Sequence, residues 1–133
     1  RIDAHMHIVP GTLVGKTVGA TKYEAFGRCV FDGKVLFQSM PDYIENSTFS
    51  AETLLRVMDN AGVERGIIMQ GSNDLVIPDT AAAVREHPDR FWGAMRLDPL
   101  ASDLADRVLR YHEMGLTVIK CLTHTPLFRH KRS

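Results

Sequence analysis

The sequence predicts an α/β fold with a parallel sheet, because short apolar strands alternate with amphipathic helices of about 10–15 residues. The run from Arg65 to Gln70 is almost wholly apolar after its first residue, which is typical of a strand buried on both faces. The chain has 133 residues and is 44% apolar, which suits one domain with a hydrophobic core. We therefore predict one domain made of strand-helix-strand units, with four strands in the parallel sheet.

The first predicted strand ends at Ile8 and carries Asp3, His5 and His7 at alternate positions. Alternate residues of a strand share a face, so we expect these three side chains on the same side of the sheet. A two-residue step is roughly 6.6 Å, and two imidazoles can lean toward one ion at a Zn–N distance of roughly 2.0–2.1 Å. The pattern predicts half of a metal site, and a polar core or surface position for the histidines is the alternative.

Residues 9–50 contain turn residues, glycines and scattered aromatic side chains, and they lack a clear period. Inside this region, residues 28–31 and 34–37 flank Asp32-Gly33, a dipeptide that supplies the positive φ angles of a tight hairpin turn. Loops of this length are usually either functional covers or disordered. We predict an insertion after the first strand that carries a β-hairpin and forms an ordered cover.

The remainder of the chain has regular signals for helices and strands. Ser50 is the predicted N-cap of the first helix and Gly62 its end, and Pro78 suits the first turn of the second helix. Ser102 is the predicted N-cap of the third helix. The strands predicted between and after these helices cover residues 65–70, 91–97 and 116–122.

Charge and cysteine content exclude several classes of function. Sixteen basic and sixteen acidic residues give a formal net charge of zero, which argues against nucleic acid or a charged membrane surface as partner. Cys29 and Cys121 are far apart and predict neither a disulfide framework nor a thiolate metal site. No apolar run approaches the roughly 18 residues of a membrane span, and no leader segment opens the chain. We expect a reduced cytoplasmic location and a small molecule or another protein chain as partner.

Four segments taken together resemble the amidohydrolase superfamily, namely residues 2–10, 55–63, 87–91 and 114–116. The likeness is closest to the branch that holds aminocarboxymuconate-semialdehyde decarboxylase and related lactonases, hydratases and aromatic-acid decarboxylases. It extends over most of the chain, although residues 11–47 match only in kind. The resemblance implies a TIM-like (β/α) barrel with a metal at the C-terminal ends of its strands. It makes His5 and His7 first-strand ligands and Asp3 a supporting residue.

The chain departs from this family in length. A complete barrel takes roughly 250 residues, so we expect residues 1–122 to form the N-terminal half of a barrel, four βα units with the insertion 9–50, followed by a basic tail at 123–133. The family ligands on the fifth and sixth strands and the catalytic Asp on the eighth have no counterpart. The catalytic residue is therefore unassigned, and we do not expect normal activity from this chain alone. The two unpaired edges of a half barrel predict a homo-oligomer.

Five side chains are candidate contacts for an acidic substrate. Arg28 and Lys34 flank the predicted hairpin turn and Arg96 lies on the third strand, and a guanidinium matches a carboxylate with two parallel hydrogen bonds. Lys120 lies near the end of the fourth strand, where some branches of the superfamily carry a carboxylated lysine, and His124 lies just past that strand. A plain surface or strand-end position is the alternative for each of the five, and an ion pair with Asp98 is a further alternative for Arg96.

We therefore expect a metal-dependent hydrolase or non-oxidative decarboxylase, a lyase, that acts on a small cyclic or unsaturated carboxylic acid. Zinc is the first candidate metal, and manganese or magnesium are the others. A second hypothesis is a catalytically inactive, truncated half barrel that serves as an oligomeric binding module. A third is a flavodoxin-like α/β domain that carries His-x-His by chance.

Overall fold

The computed structural model describes residues 1–18, 20–69 and 75–121, without the side chains of residues 12 and 18. Its strands are β1 (Ile2–Met6), β2 (Thr17–Val18), β3 (Thr21–Tyr23), β4 (Arg28–Phe31), β5 (Lys34–Gln38), β6 (Arg65–Met69), β7 (Phe91–Arg96) and β8 (Val118–Lys120). Its helices are α1 (Ala51–Ala61), α2 (Ile77–Glu86) and α3 (Leu104–Glu113), and a short 3-10 helix spans Gly11–Leu13. No helix in these ranges combines the length and the apolar character that crossing a membrane requires.

The strands β1, β6, β7 and β8 form a four-stranded parallel sheet in that order. One helix lies in each connection between consecutive strands, so the predicted α/β class with a parallel sheet is confirmed. The first strand lies at one edge of this sheet, whereas a flavodoxin-like sheet places it between two others. The observed strand order therefore argues against the flavodoxin-like hypothesis.

Helix α1 has the predicted caps at both ends. Ser50 Oγ accepts a hydrogen bond from the Thr53 amide at 3.2 Å, and Gly62 ends the helix at a φ of 65°, which glycine adopts without strain. Leu54 and Met58, four residues apart, are the buried positions on its inner face. They belong to a core cluster whose other buried members are Met6, Ile8, Ile68, Ala83 and Phe91.

Two predictions about the parallel units are wrong in detail. Helix α3 has Asp103, not Ser102, at its N-cap, and no side chain caps it because the Asp103 carboxylate accepts a hydrogen bond from Arg107 Nε at 2.8 Å. Strand β6 is not buried on both faces. Gly66 and Ile68 are buried, whereas the alternate residues of this strand are half-buried. Only the face that carries Ile68 is covered by residues of α1 and α2.

The insertion forms a separate antiparallel sheet in the order β2, β3, β4, β5. The predicted hairpin is confirmed, because β4 pairs with β5 across Asp32 and Gly33, whose φ angles are 48° and 71°. The hairpin is part of a larger structure than the sequence predicted, since two further strands precede it. A bridge between Val9 and Phe49 joins the two ends of the insertion, which keeps this sheet beside the end of β1.

Candidate functional site

Two imidazoles meet at the C-terminal end of β1. The Nε2 atoms of His5 and His7 lie 3.0 Å apart, and their ring centroids lie 4.9 Å apart. Met6 and Ile8 alternate with them and are only 9% and 6% exposed, because both pack into the core cluster under the helices. This burial directs the two histidines to the opposite, solvent-exposed face. The separation allows both nitrogens to reach one ion at roughly 2.0–2.1 Å.

Asp3 lies beside this pair but acts on the backbone. Its Oδ1 accepts a hydrogen bond from the His5 amide at 2.9 Å. The register pairs Asp3 with Gly66 and Met6 with Ile68. Three residue steps along β1 therefore match only two along β6, which means that β1 contains a bulge. The strict alternation that would place Asp3 on the face of the histidines is interrupted there. Asp3 satisfies an amide at the bulge and so helps to fix the position of His5.

The imidazole pair offers two nitrogen donors of the kind that a metal ion accepts. Within residues 1–18, 20–69 and 75–121, the only three ligand side chains whose donor atoms all lie within 4.8 Å of one another are Glu52, Glu86 and His87. No third described ligand therefore joins His5 and His7. Zinc commonly takes four ligands, so the pair fits part of a metal site.

Two cations lie side by side at the same end of the sheet. The register of β7 and β8 pairs Arg96 with Lys120. Burial lowers the pKa of both side chains, and the positive charge of Arg96 lowers the pKa of Lys120 further. None of the described carboxylates forms an ion pair with Arg96 or Lys120. Two half-buried cations without an acidic partner favour the binding of an anion.

The insertion contributes Tyr23 to this cation pair. The phenol lies near enough to Arg96 for the two groups to influence each other electrostatically. Burial is the largest cause that raises the pKa of Tyr23, followed by the neighbouring Cys29, whereas Arg96 lowers it. With a raised pKa, Tyr23 stays protonated at neutral pH and can donate a hydrogen bond. Sequence reasoning missed Tyr23 because its approach to Arg96 depends on how the two sheets meet.

The other predicted substrate contacts do not join Arg96 and Lys120. Arg28 is exposed on β4 and lines a groove of about 430 Å³ on the insertion, together with Tyr23. Lys34 is exposed at the start of β5, next to the hairpin turn. His124 lies outside the described residues. The structure thus brings Arg96 and Lys120 together, while Arg28 and Lys34 remain on the surface of the insertion.

A second cluster of possible ligands was not predicted from the sequence. Glu52 lies in the first turn of α1, and Glu86 and His87 lie at the end of α2. Hydrogen bonds from its own backbone amide and from Ser50 are the main causes that lower the pKa of Glu52, and His87 contributes. An adjacent groove of about 480 Å³ is lined by Glu52, Glu86 and Asp79, whose pKa burial raises. No sequence motif links these positions.

Comparison with solved structures shows a likeness in fold. No family model matches the chain, and no curated protein matches its sequence. The crystal structure of a probable 2-pyrone-4,6-dicarboxylic acid hydrolase from Acinetobacter baumannii, with citric acid bound, matches with a TM-score of 0.51 at 13% identity. The match covers 96% of this chain and 42% of that chain, so this chain spans less than half of its length. That enzyme is a TIM barrel, and at this identity the likeness concerns the fold alone. The division into a half barrel and a basic tail stays a prediction.

Proposed function

We propose that this chain carries part of the active site of a metal-dependent hydrolase of the amidohydrolase superfamily, acting on a small carboxylic acid. The observation that carries the proposal is the 3.0 Å separation of His5 Nε2 and His7 Nε2 at the C-terminal end of a parallel strand. Barrel enzymes place their reacting groups at this end of the strands. The resemblance of residues 2–10 to the first strand of this superfamily supports the same assignment.

Five residues in and just after β1 have definite parts in holding a metal. A divalent ion, with zinc first and manganese or magnesium as alternatives, would supply a Lewis acid and an activated water when bound. His5 and His7 must each present a neutral Nε2, which requires the proton to be on Nδ1. Met6 and Ile8 anchor the strand in the core on either side of His7, and Asp3 fixes the amide of His5. The pair is therefore held in place before any ligand arrives.

The cation pair explains the choice of substrate class. Arg96 and Lys120 lie on β7 and β8, and β7 is two strand spacings from β1, roughly 10 Å. A small acid can span that distance, with its carboxylate on the cations and its reacting bond toward the histidines. The guanidinium of Arg96 can hold a carboxylate with two hydrogen bonds, and Tyr23 adds a neutral donor. The substrate named for the structural neighbour, 2-pyrone-4,6-dicarboxylic acid, is of this class.

Binding and turnover are measured separately to test the proposal. Zinc-loaded protein is titrated calorimetrically with 2-pyrone-4,6-dicarboxylate and with citrate, and ring opening is followed by the loss of ring absorbance. Arg96→Met should weaken binding by about 10- to 100-fold, which corresponds to the roughly 1.5–3 kcal/mol of a charge-assisted hydrogen bond. Arg85→Met removes an exposed arginine on α2 and is the matched control. Equal affinities for the two variants would rule out Arg96 as the anchor.

Turnover distinguishes hydrolysis from its alternatives. Hydrolysis adds water across the ring ester bond and produces a carboxylate, whereas non-oxidative decarboxylation releases carbon dioxide, so both products are assayed. A His5→Ala/His7→Ala variant should lose all metal-dependent turnover. Turnover that is unchanged in this variant would refute the role of the imidazole pair.

A second candidate function is supported by the ligand count. Because the described residues bring only two ligands together at the end of β1, the second candidate is a binding module that holds an acid without converting it. This function predicts acid binding that depends on Arg96 with no product of either reaction. The two measurements above separate it from the hydrolase.

A further inference from the structure

Both outer strands of the parallel sheet have an open edge among the described residues. There β1 pairs only with β6, and β8 pairs only with β7. The Leu97 amide, just after β7, donates to Lys120 O at 3.1 Å. The backbone groups of Lys120, and of Val118 two residues earlier, therefore point toward β7, while the Ile119 amide between them points away from it. Each edge therefore offers backbone donors and acceptors to a further parallel strand.

The face of the sheet away from the helices is also incompletely covered. Ile67 and Trp92 are register partners on this face, and both are half-buried. The Arg65 guanidinium lies 3.8 Å from the Trp92 ring centroid and covers part of that ring. At the β1 edge, Ile2 is the register partner of Arg65 and is 64% exposed. Sheets made only of parallel strands normally have both faces buried, so this sheet needs a further layer or closure.

We propose that two copies of this chain close one eight-stranded barrel around a two-fold axis that runs along the strands. Four strands are half of the eight that a TIM barrel contains. Rotation by half a turn about this axis keeps all strands parallel and places β8 of each copy beside β1 of the other. The two identical junctions pair all four open edges, and the faces that carry Trp92 turn toward a shared interior. A closed two-fold arrangement of this kind does not continue into a filament.

This dimer would also enlarge the metal site, a consequence that rests on the proposed function. In the closed barrel, β1 of the two copies occupies the first and fifth positions. Because the strands are parallel, His5 and His7 of both copies lie at the same mouth, on opposite sides of it. Two chains then offer four imidazoles, the number of ligands that zinc commonly takes. The expected stoichiometry is one ion for two chains.

The oligomeric state tests the proposal through the edge amide of β8. Sedimentation velocity over a range of concentrations should show a dimer for the wild type and for Ile119→Val, which keeps the amide and a β-branched side chain. Ile119→Pro removes the outward amide but no bond to β7, and proline is tolerated at such edge positions. It should raise the dimer dissociation constant about tenfold or more, because each substitution affects both junctions. Circular dichroism verifies that the variants are folded.

A second variant keeps the test decisive if Ile119→Pro does not fold. Ile2→Lys places a charge on the exposed edge of β1, where the core is not affected, and it should weaken the dimer in the same way. A monomeric wild type overturns the proposal. A dimer that resists Ile119→Pro and Ile2→Lys but dissociates in Leu36→Lys also overturns it, because Leu36 is exposed on β5 and the copies would then meet through the insertion. A dimer that binds no metal supports the closed barrel and refutes the metal assignment. A monomer that binds one ion per chain refutes the closed barrel and leaves the metal assignment standing.

Discussion

Substitution of Gly93 by alanine tests how closely the helices approach the parallel sheet. A Cβ atom added at this position would lie 2.3 Å from Leu116 Cδ2, 3.1 Å from Thr80 Cγ2 and 3.1 Å from Val84 Cγ2. Leu116 and Thr80 are fully buried, and the β-branched side chains of Thr80 and Val84 are restricted to few rotamers. The collision cannot be relieved by moving the end of one flexible side chain. We therefore expect the loss of unfolding free energy to lie in the upper part of the range for overpacked cores.

The magnitude follows from two opposing contributions. Overpacking costs about 1–3 kcal/mol, while replacing glycine by alanine lowers the entropy of the unfolded chain and returns about 0.4–1 kcal/mol. The net loss is about 1–2 kcal/mol of unfolding free energy. For a chain of this size, that lowers Tm by about 3–12 °C. Urea unfolding followed by circular dichroism measures the free energy, and a thermal scan measures Tm.

Truncation of Leu116, whose Cδ2 atom would collide with the added Cβ, provides the control. Leu116→Ala alone leaves a cavity and should cost about 2–5 kcal/mol, but in its background Gly93→Ala should cost less than in the wild type. The coupling energy between the two sites is expected to be about 1 kcal/mol or more. Two fully additive substitutions, or a Gly93→Ala variant as stable as the wild type, would refute the close packing of β7 against Leu116.

Two further predictions concern the helix caps and the cation pair. Ser50→Ala should lower the unfolding free energy by about 0.5–2 kcal/mol, whereas Ser102→Ala should change it by less than about 0.5 kcal/mol; equal losses in urea titrations would contradict the observed caps. Burial, then Arg96, lowers the pKa of Lys120 from 10.5, so the unfolded chain retains this proton to higher pH. The stability of the wild type relative to Lys120→Met should therefore rise with pH between the lowered pKa and 10.5, and a constant difference would contradict the shift.

Features with local signals could be predicted from the sequence. Ser50 and Gly62 form hydrogen bonds with backbone groups only a few residues away, so a short segment of sequence is enough to predict where α1 begins and ends. The turn at Asp32-Gly33 follows from the φ angles that these two residues adopt. The N-cap of α3 was misplaced by one residue, because serine and aspartate are adjacent there and both are favourable caps.

Features that depend on tertiary contacts could not be predicted in the same way. The bulge in β1 arises from its pairing with β6, and periodicity along one strand does not contain that information. The approach of Tyr23 to Arg96 depends on the position of the insertion relative to the parallel sheet. The cluster of Glu52, Glu86 and His87 brings together the start of α1 and the end of α2, and Glu52 and Glu86 are more than thirty positions apart in the sequence. Such sites require the folded arrangement.

Zinc binding measured by equilibrium dialysis, with the metal quantified by mass spectrometry, tests the central claim most directly. The wild type is compared with His5→Ala/His7→Ala and with His87→Ala, which removes a ligand from the other described cluster. We predict that the first variant loses the bound zinc and that His87→Ala retains it. Zinc that stays in the double variant and disappears in His87→Ala would place the metal between α1 and α2 and contradict the assignment to β1.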